Sequence, residues 1–106
     1  MPLEKRRTPR YMFFASAELI EEKSEVRVAS RVSELSLYGC YLDMMNPFPT
    51  DTPIRLRIWT EENIVFQSKG KVIYSQPNMG AGVAFVDVQP KDQTVLEGWL
   101  TVLAKA

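Results

Sequence analysis

The chain has 106 residues, 45% of them apolar and 25% charged, and its 13 basic side chains are balanced by 13 acidic ones. That length fits one folded domain, and a formal net charge of zero argues against a surface given over to nucleic acid or an anionic membrane. The absence of histidine and the single cysteine, Cys40, remove the commonest general base, the Ser-His and Cys-His nucleophile pairs, the usual catalytic zinc ligands and any internal disulfide.

Residues 1–10 differ from the rest. Lys5, Arg6, Arg7 and Arg10 stand against Glu4 alone, and two prolines interrupt the segment. It reads as a flexible, basic N-terminal arm without the apolar core of a signal peptide. From Tyr11 the pattern turns to strands. Phe13, Ala15, Ala17 and Leu19 recur at period two, and Val26, Val28, Ser30 and Val32 do the same after the polar run 21–25, which predicts a hairpin. A short apolar run, Gly39 to Met45, is stopped by Asn46-Pro47-Phe48-Pro49. Ile54, Leu56 and Ile58 then alternate with Arg55, Arg57 and Trp59.

Glu61-Glu62-Asn63 predicts the next turn, after which Ile64 to Phe66 leads into Lys71 to Tyr74. Gln76 to Gly80 turns the chain into a last strand from Gly82 to Val88. At the C-terminus the period changes: Val95, Leu96, Trp99, Leu100 and Leu103 mark one face of an amphipathic helix over about 90–104, with Pro90 in its first turn. Gly98 inside that helix costs about 1 kcal/mol relative to Ala, so a packing gain is expected there. Six or seven short strands and a helix predict an all-β-dominated fold, a small antiparallel barrel over 11–106 with the helix packed on it. No run is apolar and long enough for membrane insertion, and a lone cysteine suits a reducing, cytoplasmic setting.

Two segments carry chemistry. Arginine presents a planar fork of donors that matches phosphate oxygens in pairs and the O6/N7 edge of guanine, so Lys5-Arg6-Arg7-Thr8-Pro9-Arg10 is either an anion clamp or a solvated tail. Ser33-Glu34-Leu35-Ser36-Leu37-Tyr38-Gly39 predicts a tight turn in which Gly39 is free to take positive φ. Its successive amides would form an anion-holding nest with the Ser36 hydroxyl as a further donor, unless the turn merely reverses the chain. Gly80-Ala81-Gly82 precedes a strand, not a helix, so it reads as a turn or bulge instead of a phosphate loop. Glu61 and Glu62 are solvated neighbours on a loop. Cys40 reads as a small buried hydrophobe, and Trp59 either caps the barrel or marks an exposed contact patch.

Taken together, Arg6-Arg7-Thr8-Pro9-Arg10 fits RxxxR, and Glu34-Leu35-Ser36-Leu37-Tyr38-Gly39 follows it with the frame [D/N]xSxxG. In this the chain resembles the PilZ domain family, as it does in Gly82-Val83-Ala84-Phe85 and the terminal helix. The resemblance covers nearly the whole chain and implies a stand-alone six-stranded β-barrel that is a receptor for cyclic di-GMP, not an enzyme, with no cofactor and no metal. It implies that Arg6 and Arg10 grip guanine edge and phosphate, that Arg7 adds charge or stacking, and that Ser36 and Gly39 line the turn beneath the nucleotide. Glu34 stands where the family has Asp or Asn. Its carboxylate is still able to accept from guanine N1–H and N2–H, with the acceptor displaced by about one bond length. The arm would order over the ligand and alter a surface read by a downstream protein partner. The alternatives are a PilZ-fold interaction adaptor that does not bind the nucleotide and, more distantly, a barrel for single-stranded nucleic acid; double-stranded nucleic acid is not an expected partner.

Overall fold

Alternating apolar side chains drive the chain into strands whose inner faces meet. In the computed structural model, which describes residues 8–106, these are β1 (Tyr11–Glu21), β2 (Arg27–Leu35), β3 (Gly39–Asp43), β4 (Pro53–Trp59), β5 (Val65–Gln76) and β6 (Gly80–Val86), followed by α1 (Pro90–Lys105). Arg6 and Arg7 of the expected ligand set lie outside the described residues. Every neighbouring pair is antiparallel, and the sheet closes in the order β1-β2-β3-β6-β5-β4. Closure leaves no unpaired edge among the described strands.

The inward residues of the alternation fill the barrel. Leu19, Val32, Leu42, Ile54, Ile58, Phe66 and Val72 are fully shielded from solvent. Burial of a side chain such as Phe66 contributes roughly 1.5–3 kcal/mol. Leu96 of α1 completes the core, and Trp99 packs its ring 5.1 Å from that of Phe13 and 6.4 Å from that of Phe66. The helix is also tied to the sheet by a polar contact: the buried Asp92 accepts a hydrogen bond from the Gln67 backbone N–H at 2.9 Å. A carboxylate in the first turn of a helix suits the positive end of its dipole as well.

The structure differs from the sequence reading at several points. Residues 65–76 form one continuous strand, with no break between Phe66 and Lys71. Gly80 to Gly82 belong to β6 from its start, so they are not a turn, and the bulge beside them is in β5, at Ile73 opposite the Gly82–Val83 step. The left-handed conformations are taken by Glu25, Asp51, Asn63, Asn78 and Asp87, and no described glycine has positive φ, Gly39 included. Asn visits that region at small cost because its short side chain bonds locally. The packing gain expected at Gly98 is absent, since a Cβ there would meet nothing within 4 Å.

Candidate functional site

β2 runs into β3 through the turn Ser36 to Gly39. The Ser36 N–H donates to the Gly39 carbonyl at 2.9 Å, and the Tyr38 N–H donates to Ser36 Oγ at 3.3 Å. The Ser36 hydroxyl donates to the same Gly39 carbonyl at 3.3 Å. Hydroxyl and two amides are therefore engaged within the turn, so Ser36 shapes it, and the open nest with a spare Ser36 donor is not formed. Gly39 is required for a reason other than its φ: a Cβ would lie 2.2 Å from the Val83 carbonyl oxygen across the β3–β6 ladder. The turn is fastened to β6 by the Phe85 N–H, which donates to the Tyr38 carbonyl at 2.9 Å.

Two irregularities in register then bring one row of side chains onto the outer surface. The β2–β3 pairing steps from Val32↔Leu42 to Glu34↔Tyr41, leaving Ser33 as the extra residue. The β5–β6 pairing steps from Val72↔Val83 to Tyr74↔Gly82, leaving Ile73 unmatched. Bulges of this kind re-aim side chains and sharpen the local twist. The result is a continuous cross-strand row: Glu34 opposite Tyr41, Tyr41 opposite Gly82, Gly82 opposite Tyr74.

Gly82 is the low point of this row. A Cβ on it would come within 2.3 Å of Tyr74 Cε1, so the bare backbone is what lets that ring lie down over β6. The Tyr41 and Tyr74 rings sit 6.1 Å apart at 31°, and Tyr41 Oη donates to Gln76 Oε1 at 3.3 Å. Burial, then the neighbouring Tyr74 and Asp43, push the Tyr41 phenol above its ordinary pKa. The Tyr41 ring is therefore neutral at physiological pH, and both rings offer π faces to the groove.

Around this row the structure forms a groove of about 300 Å³. Of the residues singled out in the sequence, it brings together Arg10, Glu34, Ser36 and Gly39, and Thr8 of the basic segment joins them. The side chains of Arg10 and Glu34 form no hydrogen bond or ion pair with another described residue. Sequence reasoning missed Tyr38, Tyr41, Ile73 and Tyr74, which line the same groove. An aromatic spacing signal was present, but it acquires meaning only through the register of three strands. Cys40 also borders the groove from inside the wall; burial pushes its thiol up from 9.0 to about 12, which leaves it protonated and unreactive. Among the described residues no group of three or more acidic or cysteine side chains is placed to hold a metal ion, and no helix is long and apolar enough to cross a membrane.

Comparison with known proteins places this architecture. A family model described as the PilZ domain matches residues 4–101. The crystal structure of YcgR in complex with c-di-GMP from Escherichia coli superposes with a TM-score of 0.77 at 16% identity, over 95% of this chain and 46% of that one. The PilZ domain with c-di-GMP of the same YcgR gives a TM-score of 0.72 at 15% identity, covering 95% and 92%. The PilZ domain of CeSA from a cellulose-synthesizing bacterium gives 0.71 at 15%, covering 92% and 99%. At these identities the likeness is one of fold. No curated protein sequence matches the chain.

Proposed function

The chain belongs to the PilZ domain family, which typically binds cyclic di-GMP and is generally non-catalytic, and from that premise we propose that the groove over Gly82 is a receptor site for cyclic di-GMP. The observation that carries this is the convergence of Arg10 with Glu34, Ser36 and Gly39 in one groove, across a barrel that separates them by more than a strand in sequence. The ligand offers two guanines and two phosphates, and the groove offers a partner for each. Arg10, with Arg6 and Arg7 of the same basic segment, supplies planar donor forks for phosphate oxygens and for guanine O6 and N7. Glu34 is the acceptor for guanine N1–H and N2–H. The Tyr41 and Tyr74 rings give a purine a stacking surface, an interaction of about 1–3 kcal/mol per base.

Closure of residues 1–10 over the ligand is the switching step. Ordering a residue costs about 1–2 kcal/mol, and charge-assisted hydrogen bonds return about 1.5–3 kcal/mol each, so the arginines are needed together. The closed segment changes the surface beside the groove, and a downstream protein reads that change.

Stacking predicts a selective mutational signature. Tyr74→Ala weakens cyclic di-GMP binding about tenfold while Tyr74→Phe, which keeps the ring, leaves it nearly unchanged. Mapping of amide chemical shifts on titration tests the location: Glu34 to Gly39, Tyr74 and Gly82 shift together, whereas shifts confined to other faces of the barrel refute the site. A second reading has its own support in Glu34, a carboxylate with no partner among the described residues in a groove meant for a dianion. If like-charge repulsion dominates there, the chain is an adaptor that does not bind the nucleotide, and no amide shifts on titration.

A further inference from the structure

In the closed order of strands, β1 and β4 lie on the side of the barrel away from β3 and β6, and β4 sets Arg55 and Arg57 on the outer face there. Register sets Ile20 between Arg27 on β2 and Arg55 on β4, and sets Arg55 opposite Lys69 on β5, so three cations share one row across four strands. Arg57 projects from the next row, and Lys91 from the first turn of α1 joins them around a second groove of about 390 Å³. Two carboxylates line this groove. Glu18 pairs with Arg27 at 3.3 Å, and the buried Asp92 is committed to the Gln67 amide. Arg55 reaches Glu25 at 3.3 Å, while Lys69 and Lys91 have no ion-pair partner among the described residues.

A like-charged pair placed directly opposite in an antiparallel ladder costs stability, and Arg55↔Lys69 is such a pair. The arrangement makes sense as one half of a complementary contact. Arg57 is already poised for it, with its guanidinium 5.4 Å from the centre of the Trp59 ring, which holds the planar fork in place. We propose that this face docks a short acidic segment of a partner protein, one that sets an apolar side chain on Ile20 between carboxylates directed at Arg27, Arg55, Lys69 and Lys91.

Two features select an acidic peptide over a long polyanion. Ile20 is an apolar contact in the middle of the charged row, which a phosphate backbone cannot use. The β1–β2 turn at the edge of the face carries Glu21, Glu22 and Glu25, which repel a continuous strand of nucleic acid or an anionic bilayer while leaving room for a short segment. This face is separate from the Gly82 groove, so both are open to be filled at once.

Fluorescence anisotropy of a labelled peptide of alternating Glu and Leu, titrated with the intact protein, tests the proposal. Oligothymidylate of the same charge and phosphatidylserine vesicles are run beside it. The peptide binds the wild type, and Arg55→Gln combined with Lys69→Gln weakens it by about tenfold or more. The same double variant stays folded by thermal melting, because relief of the opposed cations offsets loss of the exposed Arg55–Glu25 pair. Lys91→Gln, on an exposed helical turn outside the sheet, weakens binding several-fold and keeps the result independent of sheet stability. Failure of the peptide to bind, equal binding by all variants, or tighter binding of oligothymidylate or vesicles overturns the proposal.

Discussion

Gly39 and Cys40 sit side by side at the start of β3 and are constrained for opposite reasons. At Gly39 the constraint is space, since the nearest atom to a new methyl is a backbone carbonyl oxygen at 2.2 Å, which cannot swing aside as a side chain would. Gly39→Ala is therefore expected to lower stability by about 1–3 kcal/mol, seen as a reduced melting temperature, and to widen the β3–β6 contact under the groove. At Cys40 the constraint is solvation. Its thiol pKa is raised by burial from 9.0 to about 12, so above pH 9 the unfolded chain releases this proton before the folded one does. The stability this contributes is fully present below pH 9 and is lost as the pH rises towards 12. Tyr41 acts in the same direction, its phenol raised chiefly by burial. Thermal melts across this alkaline window should show a steeper decline for the wild type than for Cys40→Ala. The sequence made Cys40's burial legible, because it lies in an apolar run, but not Gly39's role, because the atom that excludes a methyl group belongs to a strand more than forty residues away.

At the scale of elements, β1, β2 and β4 announced themselves by alternation and the helix by its spacing of three and four, whereas β3 showed only as an apolar run and β5 was expected in two pieces. What alternation does not encode is register. A bulge adds one residue without changing composition, so Ser33 and Ile73 look ordinary in sequence, yet the steps at these two positions align Glu34, Tyr41, Gly82 and Tyr74 in one row. This is why Glu34 and Ser36 were readable from their motif while the tyrosines beside them were not. The helix offers a cleaner test of element energetics. Gly98 faces open space on the exposed side of α1, so nothing there offsets the entropy glycine loses on folding. Gly98→Ala is expected to stabilise the protein by about 1 kcal/mol, measurable as a rise in the denaturant midpoint with no change in slope. An unchanged or lowered midpoint would mean that α1 tolerates glycine for a contact the helix makes elsewhere.

For the whole molecule, the closed barrel is a rigid core that presents separate chemistry on opposite sides. The β3–β6 side carries an aromatic groove edged by Arg10 and Glu34, and the β1–β4 side carries the row of cations around Ile20. Such a layout suits a module that holds a small dianion on one face and a protein on another. Zero net charge is consistent with it: the two basic regions are local, and acidic residues elsewhere cancel them. The central claim is the first of these faces, and it rests most heavily on the arginines, of which Arg10, among the described residues, lines the groove. Calorimetric titration with cyclic di-GMP at physiological salt, with Arg10→Ala measured in parallel, tests it directly. The account predicts binding by the wild type at about micromolar affinity or tighter and a loss of about tenfold or more in the variant. Wild-type protein that gives no heat, or a variant that binds as tightly as the wild type, would contradict it.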